Sequence, residues 1–482
     1  MTSTVPLLIG GEARESAAFF ERHDSLGDTP ATRAAAATIA DANAAADAAE
    51  AALPAWSARG PSQRRALLNH AAAVLENRSA DFVEAMMSET GSTEGWARFN
   101  IALAAGMIRE AASLTTQISG QVIPSDRPGC LALAIREAAG VVLGIAPWNA
   151  PIILGVRAIA VPLACGNTVI LKASEVCPRT HSLIIESFIA AGFTGGIVNL
   201  ITNAPKDAGD IVGALIDHKA VKRINFTGST AVGRIVAVRA AQNLKPALLE
   251  LGGKAPLLVL DDADLDEAVK AAAFGAFMNQ GQICMSTERI IVMDGVADGF
   301  VEKFKAKVAT MATGNPREGK TPLGAVIDVK AVQHVEGLIA EAIGCGATRV
   351  NGGASSGVLM PATVLDRVTP SMKLFREESF GPIVAIVRAQ DEAHAIRLAN
   401  DADYGLSAAV FTKDTARGLR VARQIKSGMC HINGPTVHDE PQMPFGGLKG
   451  SGYGRFGGQA GIDAFTELRW ITIETQPGHF PI

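Results

Sequence analysis

The chain has 482 residues, of which 48% are hydrophobic and 19% are charged, and its formal net charge is −4. This length is sufficient for about two or three globular domains with a large core, and the low share of charge predicts surface that is buried between subunits. The slight negative charge argues against a nucleic acid or an anionic membrane as a partner.

Cysteine usage and the amino terminus both favour a cytoplasmic protein. The six cysteines are dispersed and form no Cys-x-x-Cys pair, so we expect reduced thiols and neither a disulfide framework nor a metal site. The start, MTSTVPLLIGGEARE, has no basic region, which predicts no signal peptide. The most apolar stretch, 141–173, is interrupted by prolines and predicts buried strand, turn and helix, not a membrane span.

Along the chain, helix and strand patterns alternate. The alanine-rich segment 34–52 carries acidic residues and predicts a solvated helix, and another helix is expected near 95–108. Short apolar runs then predict strands at 141–146, 167–172, 197–201, 223–227, 255–261 and 289–293. Helices are expected between or after them at 151–165, 178–191, 206–216, 230–242, 264–278 and 299–311. This order indicates an α/β fold with parallel sheets covered by helices.

Two segments fit neither alternating series. Residues 119–136 and 465–474 alternate polar and apolar side chains, which predicts isolated β-ribbon. The glycine-rich ELGGK stretch at 250–254 lies between the two series and is a plausible domain junction.

The strongest chemical signal is a cysteine paired with a carboxylate. Cys284 lies in FMNQGQICMS (277–286), and Glu250 lies upstream in LLELGGKAP (248–256). This pair indicates a thiolate nucleophile and a base that activates water. A free cysteine has a pKa of roughly 8.5, so the thiolate needs a dipole or a neighbouring base. A thioesterase or esterase without a nicotinamide cofactor would use the same pair.

Three further motifs have two interpretations each. Asn149, in PWNAP, precedes a helix and is typical of an N-cap residue. Glycines in FTGSTAVG (226–233) suit a pyrophosphate at a helix start, although the GxGxxG fingerprint is absent and glycine there is often steric. Lys172 and Glu175 follow a predicted strand, where α/β sheets bind ligands; an exposed loop pair is the alternative.

Together these motifs resemble the aldehyde dehydrogenase superfamily, nearly end to end. Segments 107–126, 279–292 and 432–447 are similar to bacterial aryl-aldehyde members, the vanillin and salicylaldehyde dehydrogenases. The resemblance implies the aldehyde dehydrogenase fold: a Rossmann-like NAD-binding domain (1–118 and 137–249), an α/β catalytic domain (250–450), and a β-ribbon oligomerisation extension with a C-terminal segment (119–136 and 451–482). It also implies a homodimer or homotetramer.

The resemblance assigns roles to the catalytic and cofactor residues. Cys284 attacks the aldehyde, Asn149 and the Cys284 N–H hold the oxyanion, and Glu250 activates water. Glu175 favours NAD over NADP, which would bind more weakly, because a carboxylate repels the 2′-phosphate. The implied cofactor-binding residues are Ala146, Pro147, Trp148, Lys172, Ser174, Glu175, Gly228, Ser229, Gly233, Leu251, Glu378 and Phe380.

The helix after Asn149 is expected to line the aldehyde pocket. Residues 150, 154 and 157 share one helical face; it presents small Ala150, which leaves room for a flat ring, together with Leu154 and Arg157. Arg157 is either a partner for a phenol oxygen or a structural arginine paired with a buried carboxylate. Trp96 either stacks on the ring or is a core residue. The resemblance places Phe445 in the substrate funnel.

The expected function is therefore NAD-dependent oxidation of an aromatic aldehyde of the vanillin, salicylaldehyde or 4-hydroxybenzaldehyde type. A broad-specificity or aliphatic aldehyde dehydrogenase is the alternative. Glu250 argues against an enzyme that acylates coenzyme A, and the presence of all three catalytic residues argues against a non-catalytic relative. One departure from the family pattern is Phe456, where many relatives carry a glutamate that helps to relay protons.

Overall fold

The computed structural model describes residues 2–319, 321–477, 480 and 482. The strands in these residues are β1 (Ser3–Val5), β2 (Leu7–Ile9), β3 (Glu12–Arg14), β4 (Phe19–His23), β5 (Pro30–Ala35), β6 (Gln121–Ile123), β7 (Cys130–Ala138), β8 (Val141–Ile145), β9 (Thr168–Lys172), β10 (Val198–Ile201), β11 (Val221–Thr227), β12 (Ala247–Glu250), β13 (Ala255–Val259), β14 (Thr287–Met293), β15 (Thr348–Asn351), β16 (Thr363–Asp366), β17 (Ile383–Ala389), β18 (Tyr404–Gly405), β19 (Ala409–Phe411), β20 (His431–Ile432), β21 (Leu448–Lys449), β22 (Gly452–Tyr453) and β23 (Thr466–Glu474).

The α-helices in the same residues are α1 (Ile39–Ser57), α2 (Pro61–Asn77), α3 (Ser79–Thr90), α4 (Glu94–Leu114), α5 (Pro151–Ala164), α6 (Pro178–Ala190), α7 (Ala208–Asp217), α8 (Thr230–Gln242), α9 (Leu265–Phe277), α10 (Asp294–Val308), α11 (Val329–Gly344), α12 (Lys373–Arg376), α13 (Glu392–Asn400), α14 (Thr415–Ala422) and α15 (Gly458–Phe465). None of the helices described is long and apolar enough to cross a membrane.

The first sheet has the order β22-β12-β11-β8-β9-β10-β2-β3. Its five middle strands are parallel and fully buried along β8, β9 and β10, which explains their continuous apolar sequences. Numbered by first appearance within this parallel set, their order is 5-4-1-2-3, the Rossmann arrangement. The predicted α/β fold is confirmed, and the carboxyl ends of β8, β9, β11 and β12 lie at one edge.

The second sheet has the order β15-β16-β17-β14-β13-β19-β20. It is parallel except where β15 pairs with β16. The chain leaves the first sheet after β12 and enters the second at β13, so the change of sheet falls within 251–254, inside the ELGGK stretch. The exact domain boundaries remain a prediction.

A third sheet contains the two segments that were predicted as ribbon. Strand β7 pairs antiparallel with β6 on one side and with β23 on the other. Several large apolar side chains of this ribbon are exposed, among them Val122, Leu468 and Trp470. Such surface is typical of a contact between subunits, and the oligomeric role of the ribbon remains a prediction.

The alanine-rich segment differs from its prediction. Ala34 and Ala35 belong to strand β5, and helix α1 begins only at Ile39. The helix is not fully solvated, because four of its alanines have no exposed surface and pack on the first sheet: Ala42, Ala45, Ala46 and Ala49. Alanine is favoured there because a small side chain lets the helix axis approach the sheet closely.

Candidate active site

The turn that carries Cys284 has an unusual backbone. Asn279, Gln280 and Gly281 have φ values of +49°, +57° and +70°. At Gly281 a β-carbon would lie 2.1 Å from the Gly381 carbonyl oxygen, so only glycine fits. Left-handed φ values at non-glycine residues cost about 1–3 kcal/mol each and persist where the surroundings enforce them. The turn is therefore a held conformation that presents Cys284.

Side-chain amides enforce that conformation. Gln280 donates to the Ala325 carbonyl (2.9 Å) and accepts from the Gly324 N–H (2.9 Å). Gln282 accepts from the Ile327 N–H (2.9 Å). All of these groups are buried, so losing one partner would leave an unsatisfied polar group. The Asn-Gln-Gly-Gln sequence before Ile283 and Cys284 thus has a structural reason.

Asn149 is directed at the same turn. The side-chain Nδ2 of Asn149 donates to the Gln282 backbone carbonyl (2.9 Å). The backbone carbonyl of Asn149 accepts from Trp96 Nε1 (3.0 Å) and from Asn279 Nδ2 (2.9 Å). Helix α5 begins at Pro151 without a side-chain cap. The N-cap interpretation of Asn149 is therefore wrong: the side chain holds the cysteine turn and retains a second N–H for another acceptor.

Glu250 is a buried carboxyl group without a partner. It ends strand β12 and is 1% exposed, and neither of its carboxylate oxygens has a hydrogen-bond partner among the described residues. Burial raises its pKa to about 8, against the opposing charges of Arg157 and Arg455. A carboxyl group with this pKa is well suited to accept a proton near neutral pH.

Cys284 lies beside this carboxyl-bearing segment. A β-carbon at Gly253 would be 2.2 Å from the Cys284 carbonyl oxygen, so glycine allows the two loops to touch. Cys284 is a free, half-buried cysteine. Burial, then the charges of Glu250 and Glu378, raise its pKa. The sulfur is thus a thiol that requires proton removal before it can attack.

Most of the predicted cofactor residues follow the parallel strands of the first sheet. Residues 146–148 follow β8, residues 174–175 follow β9, residues 228–233 follow β11, and Leu251 follows β12. This edge is where α/β sheets bind nucleotides. Lys172 and Glu175 form an ion pair there, with only 6% and 21% of their side chains exposed, so they are not an exposed loop pair.

The glycines at this edge have steric roles. A β-carbon at Gly233 would lie 2.4 Å from Leu251, and one at Gly228 would lie 2.5 Å from the Phe226 ring. The Gly228 N–H donates to the Glu250 carbonyl (3.0 Å), so it is already occupied. These contacts support the steric interpretation of both glycines, and their contact with the cofactor stays a prediction. Ser229 caps helix α8, whose first-turn N–H groups suit an anion.

Ser174 is occupied by local bonds. Its N–H donates to His181 Nδ1 (3.0 Å), and its Oγ accepts from the Val176 N–H (3.3 Å). Ser174 thus shapes the turn that leads into helix α6. The turn holds Glu175, whose carboxylate also accepts from Asn203 Nδ2 (2.9 Å).

Glu378 and Phe380 reach this edge from the other sheet. Glu378 Oε1 accepts from the Gly253 N–H (2.7 Å), and burial raises the Glu378 pKa to about 7. Phe380, with φ +46°, contacts Trp148 edge to face at 5.7 Å between ring centroids. The predicted residues from two distant segments therefore meet at one place.

A buried ion pair that the sequence did not reveal supports this loop. Lys254 Nζ lies 2.5 Å from Glu288 Oε2, and both side chains are almost fully buried. Glu288 also accepts from the Ser379 N–H (3.1 Å) and the Phe380 N–H (3.3 Å). The pair thus fixes the backbone N–H groups of Ser379 and Phe380, which directly follow Glu378.

A narrow cavity of about 70 Å³ leads to Cys284. All five predicted pocket residues, Trp96, Ala150, Leu154, Arg157 and Phe445, line it. Residues that the sequence prediction missed are Phe99, Leu103, Ile153, Phe274, Ile283, Met285, Val437 and Asp439. Phe99 and Leu103 follow Trp96 on one face of α4 at i+3 and i+7, a spacing that would have identified them.

Arg157 and Trp96 each have the structural role that the sequence allowed and also line the cavity, and their contacts with a substrate stay a prediction. Arg157 forms a buried ion pair with Asp439 and lies 4.2 Å from the Phe445 ring centroid. Phe456, the departure from the family pattern, lies 5.8 Å from the same guanidinium. Trp96 belongs to the main core and holds Asn149 while it also lines the cavity. A structural role and a pocket position thus coexist.

Comparisons with known proteins agree with this arrangement. Residues 13–471 match the model of the aldehyde dehydrogenase family. The chain is 56% identical over 480 residues to vanillin dehydrogenase of Pseudomonas sp. strain HR199, covering 99% of each protein. It is 49% identical to salicylaldehyde dehydrogenase of Pseudomonas putida, covering 96% of each. A crystal structure of salicylaldehyde dehydrogenase from Pseudomonas putida G7 with salicylaldehyde superposes with a TM-score of 0.98, at 47% identity and full coverage of both chains.

Proposed function

The chain belongs to the aldehyde dehydrogenase family, and we propose that it oxidises aromatic aldehydes to carboxylic acids with NAD as the hydride acceptor. The observation that carries this proposal is that Asn149 and Cys284 line one cavity together with Trp96 and Phe445, while the charge of the buried Glu250 acts on the Cys284 thiol. The names of the vanillin and salicylaldehyde dehydrogenase relatives support an aromatic substrate.

The first step is nucleophilic attack on the aldehyde carbonyl. Cys284 loses its proton to Glu250, the first of the charges that act on the thiol, and the sulfur adds to the carbonyl carbon; Glu250 passes this proton to solvent before it acts as a base again. The resulting oxyanion accepts hydrogen bonds from the free N–H of Asn149 Nδ2 and from the Cys284 backbone N–H. Because Gln282, Trp96 and Asn279 fix Asn149 beforehand, little reorganisation is needed when charge develops.

The second half of the reaction releases the acid. Loss of hydride leaves a thioester on Cys284, and Glu250 removes a proton from a water molecule that attacks this thioester. Glu250 has no competing hydrogen-bond partner among the described residues, so it is available as the base. Phe456 offers no group for proton transfer, so the proton leaves Glu250 by another route or through water alone.

The residues at the first-sheet edge fit a nicotinamide dinucleotide, which supplies the hydride acceptor when bound. The Lys172–Glu175 pair matches the two hydroxyl groups of a ribose, and the start of α8 suits a pyrophosphate. Glu378, whose charge acts on the Cys284 thiol, and Phe380 would contact the nicotinamide end. The carboxylate of Glu175 favours NAD, since a 2′-phosphate would meet like charge.

We further propose that the protein is a homodimer or homotetramer in the cytoplasm, assembled through the ribbon of β6, β7 and β23. The exposed side chains of Leu468 and Trp470 support this assembly. Light scattering of the purified protein tests it, and a monomer at micromolar concentration would refute it.

The reaction itself is tested by following an aromatic aldehyde with NAD and no coenzyme A. We expect equimolar NADH and free carboxylic acid, identified by chromatography. Cys284→Ala should abolish turnover and retain NAD binding. A requirement for coenzyme A would instead indicate an acylating dehydrogenase, and hydrolysis of esters without any aldehyde oxidation would indicate an esterase.

A further inference from the structure

The cavity wall contains a carboxylate, that of Asp439, of which one oxygen lacks a partner among the described residues. Asp439 lines the cavity together with Cys284, and its side chain is only 10% exposed. One of its oxygens, Oδ2, forms the ion pair with Arg157. The other, Oδ1, is buried and has no hydrogen-bond partner among the described residues. A buried acceptor without a donor is unfavourable, so a donor that enters the cavity would gain from meeting it.

The surroundings of Asp439 are almost entirely apolar. The cavity wall is formed largely by aromatic and aliphatic side chains such as Phe99, Leu103 and Val437. Its polar groups are Asn149 and Cys284 at the reacting end, and Arg157 with Asp439. In an apolar pocket, the small number of fixed polar groups determines how a ligand is oriented. The Arg157–Asp439 pair is therefore the second polar contact available to a substrate.

The position of the pair indicates which part of the substrate it meets. Ala150 lies beside Asn149 at the reacting end, and Arg157 is two helical turns further along α5, a rise of roughly 10 Å. A benzaldehyde whose carbonyl is held by Asn149 would reach the pair if its ring lay along α5 past Leu154, which lines the same cavity. The ring substituents farthest from the aldehyde carbon then approach Arg157 and Asp439.

We propose that Asp439 is a specificity-determining residue that accepts a hydrogen bond from a phenol hydroxyl on the far side of the substrate ring. This inference rests on the proposed function and names its preferred substrates: aromatic aldehydes with a neutral hydroxyl at ring position 3 or 4. Arg157 already donates to Asp439 and lies over the Phe445 ring, so it holds the carboxylate in place. An ionised phenolate would meet the negative charge of Asp439.

The wild-type protein provides the first test. With NAD as the cofactor, kcat/KM is measured for 4-hydroxybenzaldehyde, 4-methylbenzaldehyde, 4-methoxybenzaldehyde and benzaldehyde, and the four values are compared. We expect kcat/KM for 4-hydroxybenzaldehyde to exceed that for the methyl and methoxy compounds by about tenfold or more. A hydrogen bond from the hydroxyl group to a charged acceptor contributes more than the apolar contact of the methyl group that replaces it. Equal values for the hydroxyl and methyl compounds would refute the role of Asp439.

The second test uses Asp439→Asn, with Glu440→Gln as a neighbouring control. Glu440 is exposed and pairs with His438. In Asp439→Asn the ratio of kcat/KM for 4-hydroxybenzaldehyde over 4-methylbenzaldehyde should fall about tenfold, while Glu440→Gln keeps the wild-type ratio. A general defect in folding or in the position of Arg157 would lower kcat/KM equally for both substrates and leave the ratio unchanged. An unchanged ratio in Asp439→Asn would overturn the inference.

The pH dependence separates Asp439 from a contact between Arg157 and a phenolate. If Asp439 accepts from the neutral phenol, KM for the hydroxylated substrate rises relative to the methyl compound as the phenol ionises. A fall in this relative KM would overturn the inference and favour Arg157 as the anchor. If no aromatic aldehyde is oxidised at all, the proposed function itself fails, and this outcome is distinct from a normal rate with an unresponsive ratio.

Discussion

Asn149 donates a hydrogen bond of 2.9 Å to the carbonyl of Gln282, two residues before Cys284. One N–H of the Asn149 amide thus fixes the nucleophile's turn, and the other remains for the substrate oxygen. Trp96 and Asn279 hold the Asn149 backbone from two further directions. Attack and oxyanion stabilisation are therefore built from one connected set of hydrogen bonds.

Replacing the Asn149 amide by a carboxylate tests this relationship. Asn149→Asp preserves size but removes both donors and places an acceptor against the Gln282 carbonyl. We expect kcat to fall by about 100- to 1,000-fold, the usual effect of losing an oxyanion donor. The rate of Cys284 alkylation by iodoacetamide is measured alongside NADH formation. A kcat within threefold of wild type would exclude Asn149 as an oxyanion donor.

The pH dependence of thioester hydrolysis follows from the pKa of Glu250. As a base, Glu250 must be deprotonated, so acyl-enzyme breakdown should rise with pH and level off above about 8. Arg157 lowers the pKa of Glu250, so Arg157→Leu should move the midpoint to higher pH. Arg98→Leu removes the same charge from an exposed ion pair and should leave the midpoint in place.

Rapid-quench measurements of acyl-enzyme decay give this profile directly. In Glu250→Gln both the attack of Cys284 and the hydrolysis of the thioester should slow, and a burst of NADH followed by slow turnover should appear if hydride transfer is still faster than hydrolysis. Decay that is independent of pH in the wild type, or unchanged in Glu250→Gln, would exclude Glu250 as the base.

The choice between NAD and NADP depends on Glu175 in this account. Glu175→Gln removes a negative charge where a 2′-phosphate would lie, and it frees Lys172 from its ion pair. The ratio of kcat/KM with NADP to that with NAD should rise by about tenfold or more. The exposed Glu84→Gln serves as the control for net charge. An unchanged ratio in Glu175→Gln would show that another group sets the preference.

The Lys254–Glu288 pair should be essential for the loop that carries Glu378 and Phe380. Glu288→Gln leaves the Lys254 charge buried without a counter-ion, which should cost roughly 3–5 kcal/mol and raise KM for NAD. Thermal unfolding and steady-state kinetics measure the two effects. The double variant Lys254→Met with Glu288→Leu should recover much of the stability, because it removes both charges.

A surface pair provides the comparison for this prediction. Glu267 and Lys270 are both more than 60% exposed, and Glu267→Gln should hardly change the unfolding temperature. If Glu288→Gln behaves in the same way, the buried pair does not support the loop.

The elements that could be predicted from sequence are those whose signal is local. The buried parallel strands appear as apolar runs because both of their faces are covered, and Cys284, Glu250 and Asn149 lie in short motifs. The segment of Ala34 and Ala35 was assigned to the wrong element, since alanine is compatible with strand and helix alike and its small size does not reveal which face is buried.

Contacts between residues that are far apart in the chain could not be predicted from the sequence. Arg157 was recognised as unusual, but its partner Asp439 lies 282 residues away and has no local signature. No local sequence pattern indicates that Glu288 forms an ion pair with Lys254. The left-handed conformation of Asn279 and Gln280 is held by hydrogen bonds of Asn279 to Asn149 and of Gln280 to residues 324 and 325, which only the assembled fold provides.

The most direct test of the central claim is the rate of NADH formation with vanillin, salicylaldehyde, 4-hydroxybenzaldehyde, benzaldehyde and hexanal, each with NAD and with NADP. The account predicts that the aromatic aldehydes with NAD have the highest kcat/KM, because Trp96, Ala150 and Phe445 form a cavity for a flat ring. A flat profile, or a preference for hexanal, would contradict the assignment of an aromatic substrate.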